Sequence, residues 1–173
     1  MTATIIQELL DQEEDTQKDL FLTFTLGKES YGIEIKNVTE IIGLQPVTEV
    51  PELPEYIKGI INLRGRIIPV MDARLRFKKP FLEYNDRTCV IVIEVNTISI
   101  GLIVDRVSEV ISIPGTEIVA PPEIGKTENT YIIGIGKIGN DVKLILDCDE
   151  LLNEAETSNL TTIKGEDQDE MVL

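Results

Sequence analysis

The chain has 173 residues, with 16 Lys and Arg, 31 Asp and Glu, a net charge of −15, two Cys and no His. Lacking His, it cannot use Ser-His-Asp or Cys-His catalysis or His-ligated zinc. The acidic balance argues against nucleic acid, whose phosphates demand a surplus of cations. The hydrophobic share of 42% supplies a real core.

In chain order, residues 1–19 form an acidic tail of net charge −5. Its Ile5, Ile6, Leu9 and Leu10 are spaced to form one short amphipathic turn that docks weakly. No cationic stretch precedes an apolar one there, so no secretion signal is expected. Phe21–Leu26 and Tyr31–Ile35 then read as a hairpin around Gly27-Lys28-Glu29-Ser30. Helical turns are expected near Asn37–Ile41, Glu55–Ile57 and Asp105–Glu109. Ile60–Leu63 and Ile67–Met71 flank Arg64-Gly65-Arg66. Cys89–Val95 and Ile98–Val104 flank Asn96-Thr97, and Tyr131–Ile138 and Val142–Leu146 flank Gly139-Asn140-Asp141. A C-terminal helix is expected from about Asp147 to Ala155, followed by a second acidic tail of net charge −5 over 153–173. Many short β-branched strands at this spacing indicate an all-β barrel or sandwich. Cys89 and Cys148 lie in apolar runs without a CxxC pair and read as buried structural thiols of a reducing compartment. The longest apolar runs are about five residues against the ~20 of a membrane-crossing helix, so no membrane insertion is expected.

The chain also repeats itself. Displaced by 69 residues, Gly32, Val38, Glu40 and Ile42 fall on Gly101, Val107, Glu109 and Ile111. Displaced by 68, Pro46, Thr48, Glu49, Pro54 and Glu55 fall on Pro114, Thr116, Glu117, Pro122 and Glu123. Displaced by 75, Tyr56, Ile57, Gly59, Ile60 and Asp72 fall on Tyr131, Ile132, Gly134, Ile135 and Asp147. Two related β units follow, 20–86 and 87–152, with exchange of strands between them left open. Units this small should bury apolar surface against each other, and the seam between them is a natural groove.

The repeat serves as an internal control. Asp72 and Asp147 each follow an apolar strand and are read as caps of helical turns. Gly59 and Gly134 are read as sites of tight backbone approach. At one turn the copies differ: Asn62-Leu63-Arg64-Gly65-Arg66 against Lys137-Ile138-Gly139-Asn140-Asp141. Arg64 is therefore not needed for turning, and a planar cation at a turn tip suits recognition of a partner's carboxylate or amide edge. The alternative is an ion pair with an acid of its own chain. The cationic run over 64–79 is either a solvated face or a patch for an acidic partner. No catalytic constellation, phosphate-cradling motif or Ca²⁺ loop is present in the sequence, so no enzyme, cofactor or metal is expected.

Phe21–Gly27, Tyr31-Gly32-Ile33, Val38-Thr39-Glu40-Ile41, Tyr56–Gly65, Ile68–Asp72 and Gly101–Val107 occur in the order seen in CheW proteins, the bacterial chemotaxis coupling adaptors, and 20–152 strongly resembles that family. The Lys58-Gly59 to Asn62-Leu63-Arg64-Gly65 run is its most specific part. The resemblance implies two packed SH3-like five-stranded β-barrels and a cytoplasmic, non-enzymatic adaptor recruited to membrane receptor arrays. Its implied partners are the helical hairpin tip of chemoreceptors and the regulatory domain of the histidine kinase CheA. It implies a receptor groove taking Val38, Gly59, Arg64, Gly65, Gly101, Val107 and Val110, and a kinase-facing surface with Glu40 and Ile41. A scaffold of the same fold in another pathway, such as surface motility, and a small-ligand sensor are the rival readings.

Overall fold

The structure is a computed structural model that describes residues 3–11, 17–122 and 131–151. A short helix, α1 (Ala3–Leu10), precedes eleven strands. These are β1 (Leu20–Leu26), β2 (Glu29–Glu34), β3 (Val38–Gly43), β4 (Ile57–Leu63), β5 (Arg66–Asp72), β6 (Cys89–Val95), β7 (Ile98–Val104), β8 (Arg106–Ser112), β9 (Ile118–Val119), β10 (Ile132–Ile138) and β11 (Asp141–Leu146). One-turn helices α2 (Ala73–Arg76) and α3 (Cys148–Leu151) follow β5 and β11. The all-β expectation holds. The expected helix at 147–155 is seen as α3, and its continuation to Ala155 lies outside the described residues, as does the tail 153–173.

All the expected hairpins form. Asn37–Ile41 and Asp105–Glu109 do not form the expected helical turns. A single 3-10 turn covers Ile35–Asn37, and β3 and β8 begin at Val38 and Arg106. The β-branched residues of these segments find strand partners, β6 for β3 and β1 for β8, and pairing overrides the local pattern. Glu55–Ile57 is a turn closed by the Ile57 N–H on the Pro54 carbonyl at 3.0 Å, running straight into β4.

The strands form a six-stranded sheet, β8-β1-β2-β11-β10-β9, and a five-stranded sheet, β3-β6-β7-β5-β4. The sixth strand is the two-residue β9. Each sheet draws on both sides of residue 86. The β1–β2 hairpin joins β8 to β11, while its repeat counterpart, the β6–β7 hairpin, joins β3 to β5. The joints are the two parallel pairings, β2 with β11 (Gly32 opposite Ile145) and β5 with β7 (Val70 opposite Gly101). Both joints carry the repeated glycine. At Gly101 a Cβ would stand 2.7 Å from Val90 Cγ1 and 2.9 Å from Val70 Cγ1.

Strand alternation divides the apolar residues among three clusters. On β6, Val90 and Val92 face a cluster inside the five-stranded sheet, with Ile61, Ile68 and Val70. Ile91 and Ile93 face the other way, into the largest cluster, which also takes Leu22, Phe24, Ile33, Val110 and Leu146 from the six-stranded sheet. That cluster buries one sheet against the other. Phe21, Ile113 and Ile145 line the interior of the six-stranded sheet. Rings of Phe24, Tyr31, Phe77 and Tyr131 stack in series at centroid distances of 5.4, 5.2 and 4.8 Å.

The repeated Asp residues behave as read. The Asp72 and Asp147 N–H groups donate to the Tyr56 and Tyr131 carbonyls at 2.7 and 2.8 Å. Their carboxylates accept from the Leu75 N–H at 3.3 Å and the Asp149 N–H at 2.9 Å. Asp72 has a second task. Buried at 2% exposure, it also accepts from the Tyr84 hydroxyl at 2.7 Å, which pins the connection between the halves to the end of β5. Asp72→Ala is therefore expected to lower stability by about 2–4 kcal/mol, through a lost cap and a stranded hydroxyl. Asp147→Ala, a cap alone, should cost about 1 kcal/mol. Urea denaturation of the two variants checks the difference.

Candidate functional site

The tip of the β4–β5 hairpin has two residues, Arg64 and Gly65, with φ of 52° and 87°. The Asn62 carboxamide oxygen accepts from the Gly65 N–H at 2.9 Å and closes the turn. Two successive left-handed residues match the right-handed twist of the flanking strands. Gly adopts that conformation most readily, and Gly139, the counterpart of Arg64, sits at φ 58°. The first half thus carries an arginine where its own repeat uses the residue the backbone prefers.

The Arg64 side chain is 70% exposed, and its Nη2 donates to Glu40 Oε1. The alternative set out for Arg64, an ion pair within its own chain, is the arrangement present. Glu40 lies on β3 and Arg64 at the end of β4, strands at opposite ends of the five-stranded sheet. Beyond β3 the chain returns to β4, where the Thr48–Ile60 bridge is made through backbone bonds of 2.8 and 2.9 Å. Gly59 lies beside that bridge with φ of 144°, and a Cβ on it would stand 2.1 Å from the Thr48 carbonyl oxygen. Its counterpart Gly134 packs in the same way on β9, with Ile118 Cγ2 at 2.6 Å and the Val119 oxygen at 3.4 Å. Both glycines serve close backbone approach, as read.

The other expected site residues fall into two groups. Val38 and Val110 are 4% and 8% exposed and belong to the shared core. Gly101 is buried at the parallel joint. These residues, with Gly59, stand behind the surface. Ile41 and Val107 are half-buried and pack on the edge of the shared core. Ile41 sits on β3 and Val107 on β8, opposite Phe24. Glu40, Ile41, Arg64 and Gly65 therefore reach solvent where the two edge strands of the five-stranded sheet meet at the Arg64–Glu40 pair. Sequence reasoning assigned Glu40 and Arg64 to different surfaces and missed their contact. Nothing local marks it, because 24 residues separate them.

The cations of 64–79 are largely committed within the chain. Arg66 Nη2 donates to Ser99 Oγ at 2.8 Å, and Lys79 Nζ lies 3.0 Å from Glu29 Oε2. Arg76 stands over the Tyr131 and Tyr56 rings at 4.7 and 5.4 Å. Arg74 grips Asp105 with two bonds, Nε to Oδ1 at 2.7 Å and Nη2 to Oδ2 at 2.6 Å, while the Gly27 N–H donates to Oδ2 at 2.8 Å. Burial pushes the Asp105 carboxyl up, but the Arg74 guanidinium and the Gly27 N–H outweigh it and hold the group below its ordinary value. The stability it contributes is complete above the unfolded pKa of about 3.9 and is lost as pH falls through the lower folded value. The gap in urea midpoint between wild type and Arg74→Met should accordingly be wide at pH 7 and narrow below about pH 4.

Burial pushes the Cys148 thiol up to about 12 and raises Cys89 as well, so both are protonated at neutral pH and act as apolar filling. Among the described residues no three His, Cys, Asp or Glu side chains stand where they could share a metal ion. No helix there is long and apolar enough to cross a membrane.

The family model of the CheW-like domain matches residues 20–156. The chain belongs to the CheW family. It is 40% identical to the chemotaxis protein CheW of Klebsiella aerogenes over 79% of this chain and 82% of that one. Against the chemotaxis protein CheW of Bacillus subtilis the identity is 35%, over 77% and 86%. The crystal structure of the scaffolding protein TtCheW from Thermoanaerobacter tengcongensis superposes with a TM-score of 0.74 at 35% identity, covering 80% of this chain and 94% of that one. The CheW-family assignment makes the chain a chemotaxis scaffold and not a catalyst.

Proposed function

We propose that this CheW-family chain works in the cytoplasm, coupling the hairpin tip of chemoreceptors to the regulatory domain of the kinase CheA by two protein surfaces. Arg64 makes the receptor contact, and Glu40 with Ile41 belongs to the kinase surface. The observation that carries this reading is an arginine held in a glycine's conformation at an exposed tip, where the repeat shows that the fold does not need it. A guanidinium retained at a conformational cost suits bidentate recognition of a carboxylate or amide edge. Val38, Gly59, Gly101 and Val110 support the surface from behind, by fixing the strands that carry Arg64, Glu40 and Val107.

Reconstitution tests the reading. Membranes carrying chemoreceptors, mixed with CheA, should retain the kinase and stimulate its autophosphorylation only when this chain is added. Equal retention without it would overturn the proposal. Retention with a partner from another pathway in place of CheA would favour the motility-scaffold reading.

A further inference from the structure

We propose that α1 is a built-in, displaceable cover over β3, occupying the seat that a partner's amphipathic helix takes on binding; the inference rests on the receptor-coupling role proposed above. α1 packs against β3. Its Ile6 and Leu10, one helical turn apart and 7% and 8% exposed, enter the same buried cluster as Val38, and Leu9 and Ile41 pack on that cluster from its edge. The chain thus already lays an i, i+4 apolar pair on the strand that begins with Val38, a residue of the receptor groove that the family resemblance implies. This is the way an amphipathic helix sits in a groove.

The cover is built to open. An eight-residue helix has too few turns to stand alone and exists only while its apolar face is seated. Apart from that face, one side chain among the described residues holds its C-terminal carbonyls. Gln17 Nε2 donates to the Leu9 and Leu10 oxygens at 3.2 and 3.0 Å. β3, by contrast, is tied to β6 by backbone pairing from Val38 to Gly43. Local opening of α1 therefore leaves both sheets intact. A partner helix that needs the seat binds only the open fraction, so its apparent affinity is reduced by that fraction.

The test uses the full chain and two variants, I6E/L10E, which cannot seat α1, and Q17A, which removes its C-terminal tie. Each is titrated by calorimetry with a soluble helical hairpin from a chemoreceptor tip, and hydrogen exchange is followed in the absence of partner. I6E/L10E is expected to bind about 3–10-fold more tightly than wild type and Q17A by a smaller factor. The α1 amides of the wild type should exchange orders of magnitude faster than those of β6. Equal or weaker binding by both variants overturns the cover and leaves the receptor reading standing. Exchange of α1 amides only with global unfolding, or collapse of the I6E/L10E fold with unchanged Q17A affinity, also overturns it. Failure of every form, wild type included, to bind the hairpin overturns both readings together.

Discussion

Gly59→Ala is expected to destabilise the protein by about 3 kcal/mol or more, the largest effect of any single methyl addition considered for this fold. Two independent costs combine. The backbone at φ 144° is one that L-residues rarely adopt. The added Cβ would also meet the Thr48 carbonyl oxygen at 2.1 Å and its carbon at 2.8 Å. Those are main-chain atoms engaged in the Thr48–Ile60 bridge, so relief requires opening that bridge. Gly65→Ala isolates the first cost. Gly65 has φ 87° with nothing within 4 Å of a Cβ, and about 1 kcal/mol is expected. Gly134→Ala tests the second, since its nearest neighbour is the movable Ile118 side chain, and it should fall between them. Urea denaturation with an unchanged m-value would rank the three. A ranking with Gly65→Ala worst would show that φ, and not the closing contact, decides.

Arg64→Gly should leave stability within about 1 kcal/mol of wild type and weaken receptor binding by about 1–3 kcal/mol, roughly 5- to 150-fold. Glycine relieves the left-handed strain at φ 52°, while the exposed pair with Glu40 contributes little to folding. The opposing stability terms nearly cancel, and only recognition is lost. Arg64→Glu should cost still more binding, because it sets a second carboxylate beside Glu40. Isothermal titration against the receptor hairpin, with thermal melting alongside, separates the two properties. Unaltered affinity in Arg64→Gly would remove the arginine from the interface, and a large fall in melting temperature would make it structural.

Much of the fold can be read from the chain because its hairpins are local. Alternating β-branched residues flank turns such as Asn96-Thr97 and Gly139-Asn140, and each pair of strands finds its neighbour within a few residues. β3 and β8 are harder, since Asn37 and Asp105 look like helix starts and only distant partners make the segments extended. The exchange of hairpins between sheets is not legible at all. The two halves carry the same pattern, so exchanged and unexchanged pairings bury the same residues. The turn at Ile35–Asn37 and the single residue Asp105 mark the points where the chain leaves one sheet for the other. At the site, Arg64 stood out because the repeat offered Gly139 for comparison. Its pairing with Glu40, and the burial of Val38 and Val110, depend on packing between elements far apart in the chain.

The reciprocal lending of hairpins bears on how the protein is made. Tyr31 must wait for Leu144 before β2 has its outer neighbour, and β5 must wait for β7. During synthesis the five-stranded sheet has all its strands once β7 has emerged, whereas the six-stranded sheet, begun by β1 and β2, waits for β10 and β11. Such distant pairings place maturation on the millisecond-to-second scale of high-contact-order chains. A product terminated before β10 therefore has every strand of one sheet but leaves β2 without its outer neighbour in the other.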